Sequence, residues 1–312
     1  MTKEQPLHLQ AEQEGQAIVA PTGLERFQAS ASKAWFRFSR NKLSVVGLAM
    51  VLSVVLAAVF AKQIVPYPDH IGAFVDFANA SQAPSAAHWF GTDTAGRDIF
   101  SRVIFAYREA LLMAVLVLAI AVPAGVIIGL FAGYRKGTWV DTVVMRVTDI
   151  FLGLPSLILA FSIAAVLKPT LTNCMIAVTL TWWPWYARMV YGIASSARNE
   201  YYVVGAGLIG AKKSHILFRE ILPNCFSPVL TKMALDVGVV VLISASLAYL
   251  GLGTQPPAPS LGQMISSSSD YMTKLWWMTV YPALSIVYLI LGFNFLGDGV
   301  RDMLAKGDLK YA

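Results

Sequence analysis

The chain has 312 residues, of which 56 % are hydrophobic and only 13 % charged, and its formal net charge is +6. A soluble domain carries about 45–50 % apolar and about 25 % charged residues, so the composition excludes a disordered chain and leaves too few charges to cover a soluble surface. Two cysteines, Cys174 and Cys225, and four histidines outside the long apolar runs give neither a disulfide framework nor a metal-ligand spacing.

The first 32 residues are polar and rich in Gln, Glu and Ala, and read as a mobile tail without a cleavable signal peptide. Residues 33–42 mix cations with aromatics (Lys33, Trp35, Phe36, Arg37, Phe38, Arg40, Lys42) and predict a short helix lying on a membrane surface. Six stretches then approach the roughly 20 apolar residues that a helix needs to cross a bilayer: 43–65, 110–133, 143–167, 171–191, 229–250 and 275–296. This predicts an all-α integral membrane protein with six transmembrane helices. The fourth stretch is the weakest, because Trp182, Trp183, Pro184, Trp185 and Arg188 crowd its end, where the tryptophans fit an interfacial belt.

Lysines and arginines set the expected orientation. With a cytoplasmic N-terminus, segments 1–42, 134–142, 192–228 and 297–312 carry fifteen of them and the opposite segments only six. The positive-inside rule therefore places both termini in the cytoplasm.

Two connections carry more pattern than a connector needs. In 66–109, Gly91, Thr92, Asp93, Gly96, Arg97 and Asp98 precede an amphipathic run in which Ile99, Phe100, Val103 and Ile104 share a face. Thr92 or Asp93 is the expected helix cap, Asp98 and Arg102 are spaced to pair, and the helix is expected to lie on the outer membrane surface. A solvated charge cluster is the plainer reading of the same residues. In 192–228, the stretch from Asn199 to Asn224 reads as a helix, a glycine turn and a second helix ending before Pro223. The small residues Gly205, Ala206 and Gly207 leave a smooth surface suited to docking into a partner's groove.

Charges inside spans are costly and mark candidate function. Asp149 and Ser156 on the third span, and Lys232, Asp236 and Ser244 on the fifth, are the candidates for lining a translocation path, with Lys232 and Asp236 four apart and able to pair. Gly125, Gly129 and Gly133 repeat every four residues and predict close helix packing. Pro123 and Pro155 are expected to bend the second and third spans. The chain has no phosphate-binding loop, no His within a span and no metal cluster, so no catalytic residue is assigned.

These segments bring a resemblance into view. The sequence resembles the C-type permease subunits of the dipeptide/oligopeptide/nickel ABC importer family over nearly its whole length. The resemblance rests on Arg40-Asn41-Lys42 with Gly47, on Phe90-Gly91-Thr92-Asp93 through Gly96-Arg97-Asp98 with Ser101-Arg102, on Met145-Arg146 through Asp149 with Pro155-Ser156, on Leu250-Gly251-Leu252-Gly253 with Gln255-Pro256-Pro257, and on Gly297 through Asp302. It implies a type I ABC importer transmembrane fold with a core over 110–297 and a tail at 298–312. It also implies a coupling loop gripping the ATPases through Val204, Gly205, Ala206, Gly207, Gly210, Leu222 and Pro223. The implied partners are a homologous B-type permease, two ATP-binding subunits carrying ATP and Mg, and a periplasmic binding protein in the bacterial inner membrane system, with no nucleic acid and no cofactor on this chain. Peptides are the expected cargo, and nickel chelates, opines or glutathione the alternatives. Val204, Glu220, Ser244 and Leu261 depart from the family's pattern. A stand-alone ion-coupled carrier is the rival of another class, disfavoured by the absence of a visible inverted repeat.

Overall fold

The computed structural model describes residues 23–304, with side chains from residue 32 onward. The described residues are helical with connecting loops. Helix α1 (Gly23–Arg40) is joined through the Asn41 cap to α2 (Lys42–Val59) and a short α3 (Ala61–Ile64). A loop with two 3₁₀ turns leads to α4 (Ile99–Tyr134). Then come α5 (Trp139–Leu152), α6 (Ser156–Val166), α7 (Leu171–Ala197) and α8 (Tyr201–Leu208). The long helix α9 (Lys213–Tyr249) is followed by α10 (Leu261–Ser268) and α11 (Trp277–Leu304).

Several boundaries differ from the sequence expectation. The helix expected from residue 33 begins at Gly23, ten residues earlier, since residues 24–32 contain no Pro or Gly to stop it. The expected tail 1–32 otherwise lies outside the described residues, as does 305–312 of the expected tail 298–312; residues 298–304 continue α11. The surface helix expected before the second span is the first part of the unbroken 36-residue α4, which contains Pro123. The third span is broken: α5 and α6 meet at 89° around Gly153–Pro155, so Pro155 ends one helix and caps the next. The second helix expected in 192–228 does not stop at Pro223. A π turn over Ile216–Ile221 widens the backbone and lets α9 continue through it, because the extra residue makes room for the ring that a regular turn would clash with.

Four helices (α2, α4, α9, α11) are long and apolar enough to cross a membrane, and the bent α5–α6 pair makes five. The expected count of six is not reached on that criterion. Helix α7 has 27 residues but carries threonines, tryptophans, Pro184 and Arg188, which lower its hydropathy. Its enclosed face explains why it tolerates them. Cys174, Val178, Tyr186, Val190 and Ala194 are buried against the rest of the bundle. The glycine ladder of α4 makes this possible: a Cβ on Gly125 would sit 2.5 Å from the Trp183 carbonyl, one on Gly129 would overlap the Ala187 carbonyl, and one on Gly133 would lie 2.8 Å from the Ala194 Cβ. The register shows α4 and α7 running in the same direction. Helix α11 packs on α2 in the same close manner, with Gly47 against the Phe295 and Leu296 backbone.

Candidate translocation path and docking surfaces

The end of the bundle bearing residues 66–98 is held by buried charge. Helix α4 is capped by Asp98, not by Thr92 or Asp93; its carboxylate accepts from the Ser101 amide at 2.8 Å. Asp98 does not pair with Arg102. It meets His88 Nδ1 at 2.9 Å, while its own amide donates to His70 Nδ1 at 2.9 Å. Arg102 donates to the His70 and Pro257 carbonyls and lies 3.9 Å from Asp93. Asp93 accepts from the Ala95 and Arg97 amides and from Arg97 Nε at 2.7 Å. Thr92 donates to the Asn79 carbonyl, and its own carbonyl accepts from the Trp277 indole. Gly91 and Gly96 have φ of +76° and +80°, and a Cβ on Gly96 would overlap the Asp76 carbonyl. The solvated-cluster reading is therefore overturned: Asp98 and Arg102 are 0 % and 2 % exposed. Asp98 is the cap rather than a member of the helix, so its carboxylate turns to Ser101 and His88, while loop carbonyls of His70 and Pro257 cover Arg102. Burial holds the His70 imidazole below its ordinary value, partly offset by Asp98.

The opposite end carries α8. Tyr201, Leu208 and Ile209 are 94 %, 84 % and 86 % exposed, and Val204 is exposed beside them. Gly205, Gly207 and Gly210 have open space where a Cβ would stand, and Gly210 turns the chain at φ +84°. Val203 is buried and Ala206 packs partly against the core. Leu222 and Pro223 begin the regular part of α9, and the next residue, Asn224, donates to the Tyr202 hydroxyl of α8 at 3.0 Å. Glu220 is 3.4 Å from His215.

Between the two ends lies a band of polar and aromatic side chains. Asp236 is buried and accepts from Trp182 Nε1 at 3.0 Å, Tyr186 OH at 2.8 Å and Lys232 Nζ at 3.0 Å. The Lys232 ammonium also stands over the Trp185 and Tyr186 rings. Trp185 Nε1 reaches Ser156 Oγ at 3.4 Å, and Arg188 lies 3.4 Å from Asp149. These tryptophans are not an interfacial belt. Helix α7 runs on to Ala197, which puts Trp182–Trp185 near its middle, because Pro184 is accommodated within the helix. Of the sequence candidates, the structure gathers Asp149, Ser156, Lys232 and Asp236 around α7. Ser244 is apart from them, lining a small cavity of about 20 Å³ with Cys174, Ser260 and Glu109.

Arg188 and Glu109 were absent from the sequence candidates. Arg188 sits at what reads as the polar end of a span. Glu109 sits one residue before an apolar run, where it looks like a boundary; in the fold it accepts from the Thr254 hydroxyl at 2.6 Å. Among the described residues no group of three His, Cys, Asp or Glu is placed to hold a metal ion.

The profile of the binding-protein-dependent transport system inner membrane component matches residues 125–307, and that of the N-terminal transmembrane domain of oligopeptide transport permease C matches 31–84. The chain belongs to the binding-protein-dependent transport system inner membrane component family. It is 38 % identical over 272 residues to a dipeptide transport system permease protein of Alkalihalophilus pseudofirmus, covering 87 % of this chain and 88 % of that one. It is 36 % identical to a di/tripeptide permease protein of Pseudomonas aeruginosa, covering 92 % and 93 %. It is 37 % identical to a glutathione transport system permease protein of Escherichia coli, covering 86 % and 88 %. A chain of the inward-facing MetNI methionine ABC transporter shares the fold at 17 % identity, with a TM-score of 0.50 over 67 % of this chain and 97 % of that one. The chain is thus the membrane-embedded permease component of an ABC importer, a kind of protein that acts with partner permease, ATPase and binding-protein subunits.

Proposed function

We propose that this permease carries short peptides into the cytoplasm across the bacterial inner membrane, with both termini cytoplasmic. A B-type permease completes the path, two ATP-binding subunits dock on the α8 side, and a periplasmic binding protein delivers cargo to the side of the 66–98 loop. ATP and Mg belong to the ATP-binding subunits, and this chain contributes no catalytic group. The fifteen-to-six distribution of cations supports that orientation, and the dipeptide, di/tripeptide and glutathione relatives support the cargo.

The observation that carries the mechanism is the exposed apolar surface of α8. Leucine and isoleucine exposed above 80 %, beside glycines with open space, form a surface that gains stability only under a partner. Val204, Gly205, Ala206, Gly207 and Gly210 form that contact, and Leu222 and Pro223 begin the helix that receives its motion. Closing of the ATPase pair pulls on α8 and hence, through the Gly210 turn, on α9, which carries Lys232 and Asp236. Asp149, Ser156, Lys232 and Asp236 then line the path, and Ser244 lies beside a cavity toward its outer end.

Reconstitution of the four kinds of subunit in proteoliposomes tests this, with uptake of alanyl-alanine measured against ATP. Uptake that needs the binding protein and ATP is the expected result. ATP-independent uptake by this chain alone, driven by an ion gradient, would overturn it.

A further inference from the structure

The polar band contains an ion pair in an unusual place. Arg188 is about 13 Å short of the Ala197 end of α7, and Asp149 about 15 Å from the Trp139 end of α5, at 1.5 Å per residue. In spans that cross a hydrocarbon layer about 30 Å thick, positions that far from one end fall inside the layer. The two side chains are nevertheless 49 % and 41 % exposed on the surface of this chain. Charges at that depth do not face lipid tails; they face a partner subunit or a water-filled path.

The pair is loosely held. Its single approach of 3.4 Å exceeds the 2.7–2.9 Å or so of a tight charge-assisted hydrogen bond, so both groups retain bonding capacity. Arg188 offers a planar guanidinium suited to a carboxylate. It stands one helical turn from Trp185, whose ring is 43 % exposed, carries the Lys232 ammonium on its face and bonds to Ser156. With Lys232 and Asp236 the band holds two cations and two anions. Arg146 lies a turn nearer the end of α5, within snorkelling reach of the interface. A zwitterion that exchanges partners with the Arg188–Asp149 pair leaves the charge at this depth unchanged, whereas an anion or a cation alone leaves an uncompensated charge there.

We infer that Arg188 and Asp149 are substrate-contacting residues of the path, Arg188 taking the α-carboxylate and Asp149 the α-ammonium of a zwitterionic peptide as it passes the α5–α6 bend, with Trp185 as the apolar platform beside them. This rests on the peptide reading above. It adds a residue of α7 to a path expected from the third and fifth spans, and it makes a neutral zwitterion the preferred charge class.

The test uses the complete reconstituted assembly and alanyl-alanine. The paired variant R188Q/D149N removes both charges together, so no lone charge is left at depth. It is expected to copurify with its partner subunits at the wild-type level and to take up alanyl-alanine at least tenfold more slowly. The charge swap R188D/D149R keeps an ion pair across the same helices and is expected to remain at least tenfold slow. Uptake by R188Q/D149N within twofold of wild type overturns the inference. So does restored uptake in the swap, or loss of assembly in R188Q/D149N, since each makes the pair a structural tie. A wild-type assembly that takes up no peptide brings down the peptide reading and this inference with it; an active wild type beside an active R188Q/D149N refutes the inference alone.

Discussion

The two ends of the molecule use opposite means. The 66–98 end is rich in charge, yet Asp98, Arg102 and Thr92 are buried and bonded within the chain, and Gly91 and Gly96 are pressed against backbone. The α8 end is apolar, yet Tyr201, Leu208 and Ile209 face outward and its glycines touch nothing. One end ties its charges up within the chain and the other holds its apolar side chains out for a partner. Substitutions at the first should therefore act on stability, and at the second on assembly.

The largest effect is expected from Asp98→Ala, which removes the α4 cap and the His88 partner together. A loss of about 2–4 kcal/mol is expected, read as a lower unfolding midpoint in detergent; an unchanged midpoint would contradict the view that this end stabilises itself. Leu208→Arg should leave the midpoint within about 0.5 kcal/mol and weaken retention of the ATP-binding subunits by about 2 kcal/mol, or roughly 30-fold. Ala206 is a poorer probe, because it is partly packed and a large substituent there mixes stability with docking. Between the ends, Gly129→Ala forces a methyl group onto the Ala187 carbonyl and should cost about 1–3 kcal/mol by parting α4 from α7. The same change at Gly207, where nothing is near, should leave stability unchanged or raise it slightly, since alanine favours a helix.

The smallest effect concerns pH. His70 Nδ1 accepts from the Asp98 amide, so a proton on that nitrogen breaks the bond. Its value lies below the ordinary 6.5 because burial disfavours the cation; Asp98, Asp93 and Asp69 oppose the shift and His88 adds to it. A depressed histidine stabilises fully above 6.5 and loses that contribution as pH falls through its lowered value. Thermal midpoints between pH 8 and pH 5 should fall on the acid side, and His70→Asn should flatten the profile. A fall as steep in the variant would place the titration elsewhere.

The match between sequence and structure varied by region for physical reasons. The glycine ladder of α4 was readable because helical spacing puts every fourth residue on one face, whatever it packs against. The Lys232–Asp236 pair was readable for the same reason. The tryptophans of α7 were misplaced because hydropathy cannot tell a helix end from a helix interior enclosed by other helices. Arg188 was passed over with them. Glu109 was invisible because its partner Thr254 lies 145 residues away. The 66–98 loop was read as a solvated cluster because its residue types are those of a surface, and only the turns at Gly91 and Gly96 put them inside.

Composition and periodicity by themselves determined that this chain is a helical membrane protein, roughly where its long helices run, and which two loops depart from plain connectors. These are local properties, set by apolar length and by spacing along a helix. The tertiary structure decided that the third span breaks by 89°, that α4 begins at the outer loop without interruption, and that charge is hidden at one end while apolar surface is displayed at the other. It also decided that Arg188 meets Asp149. Each of these depends on which distant backbone comes close, and that is settled by packing among helices rather than by the pattern on any one of them.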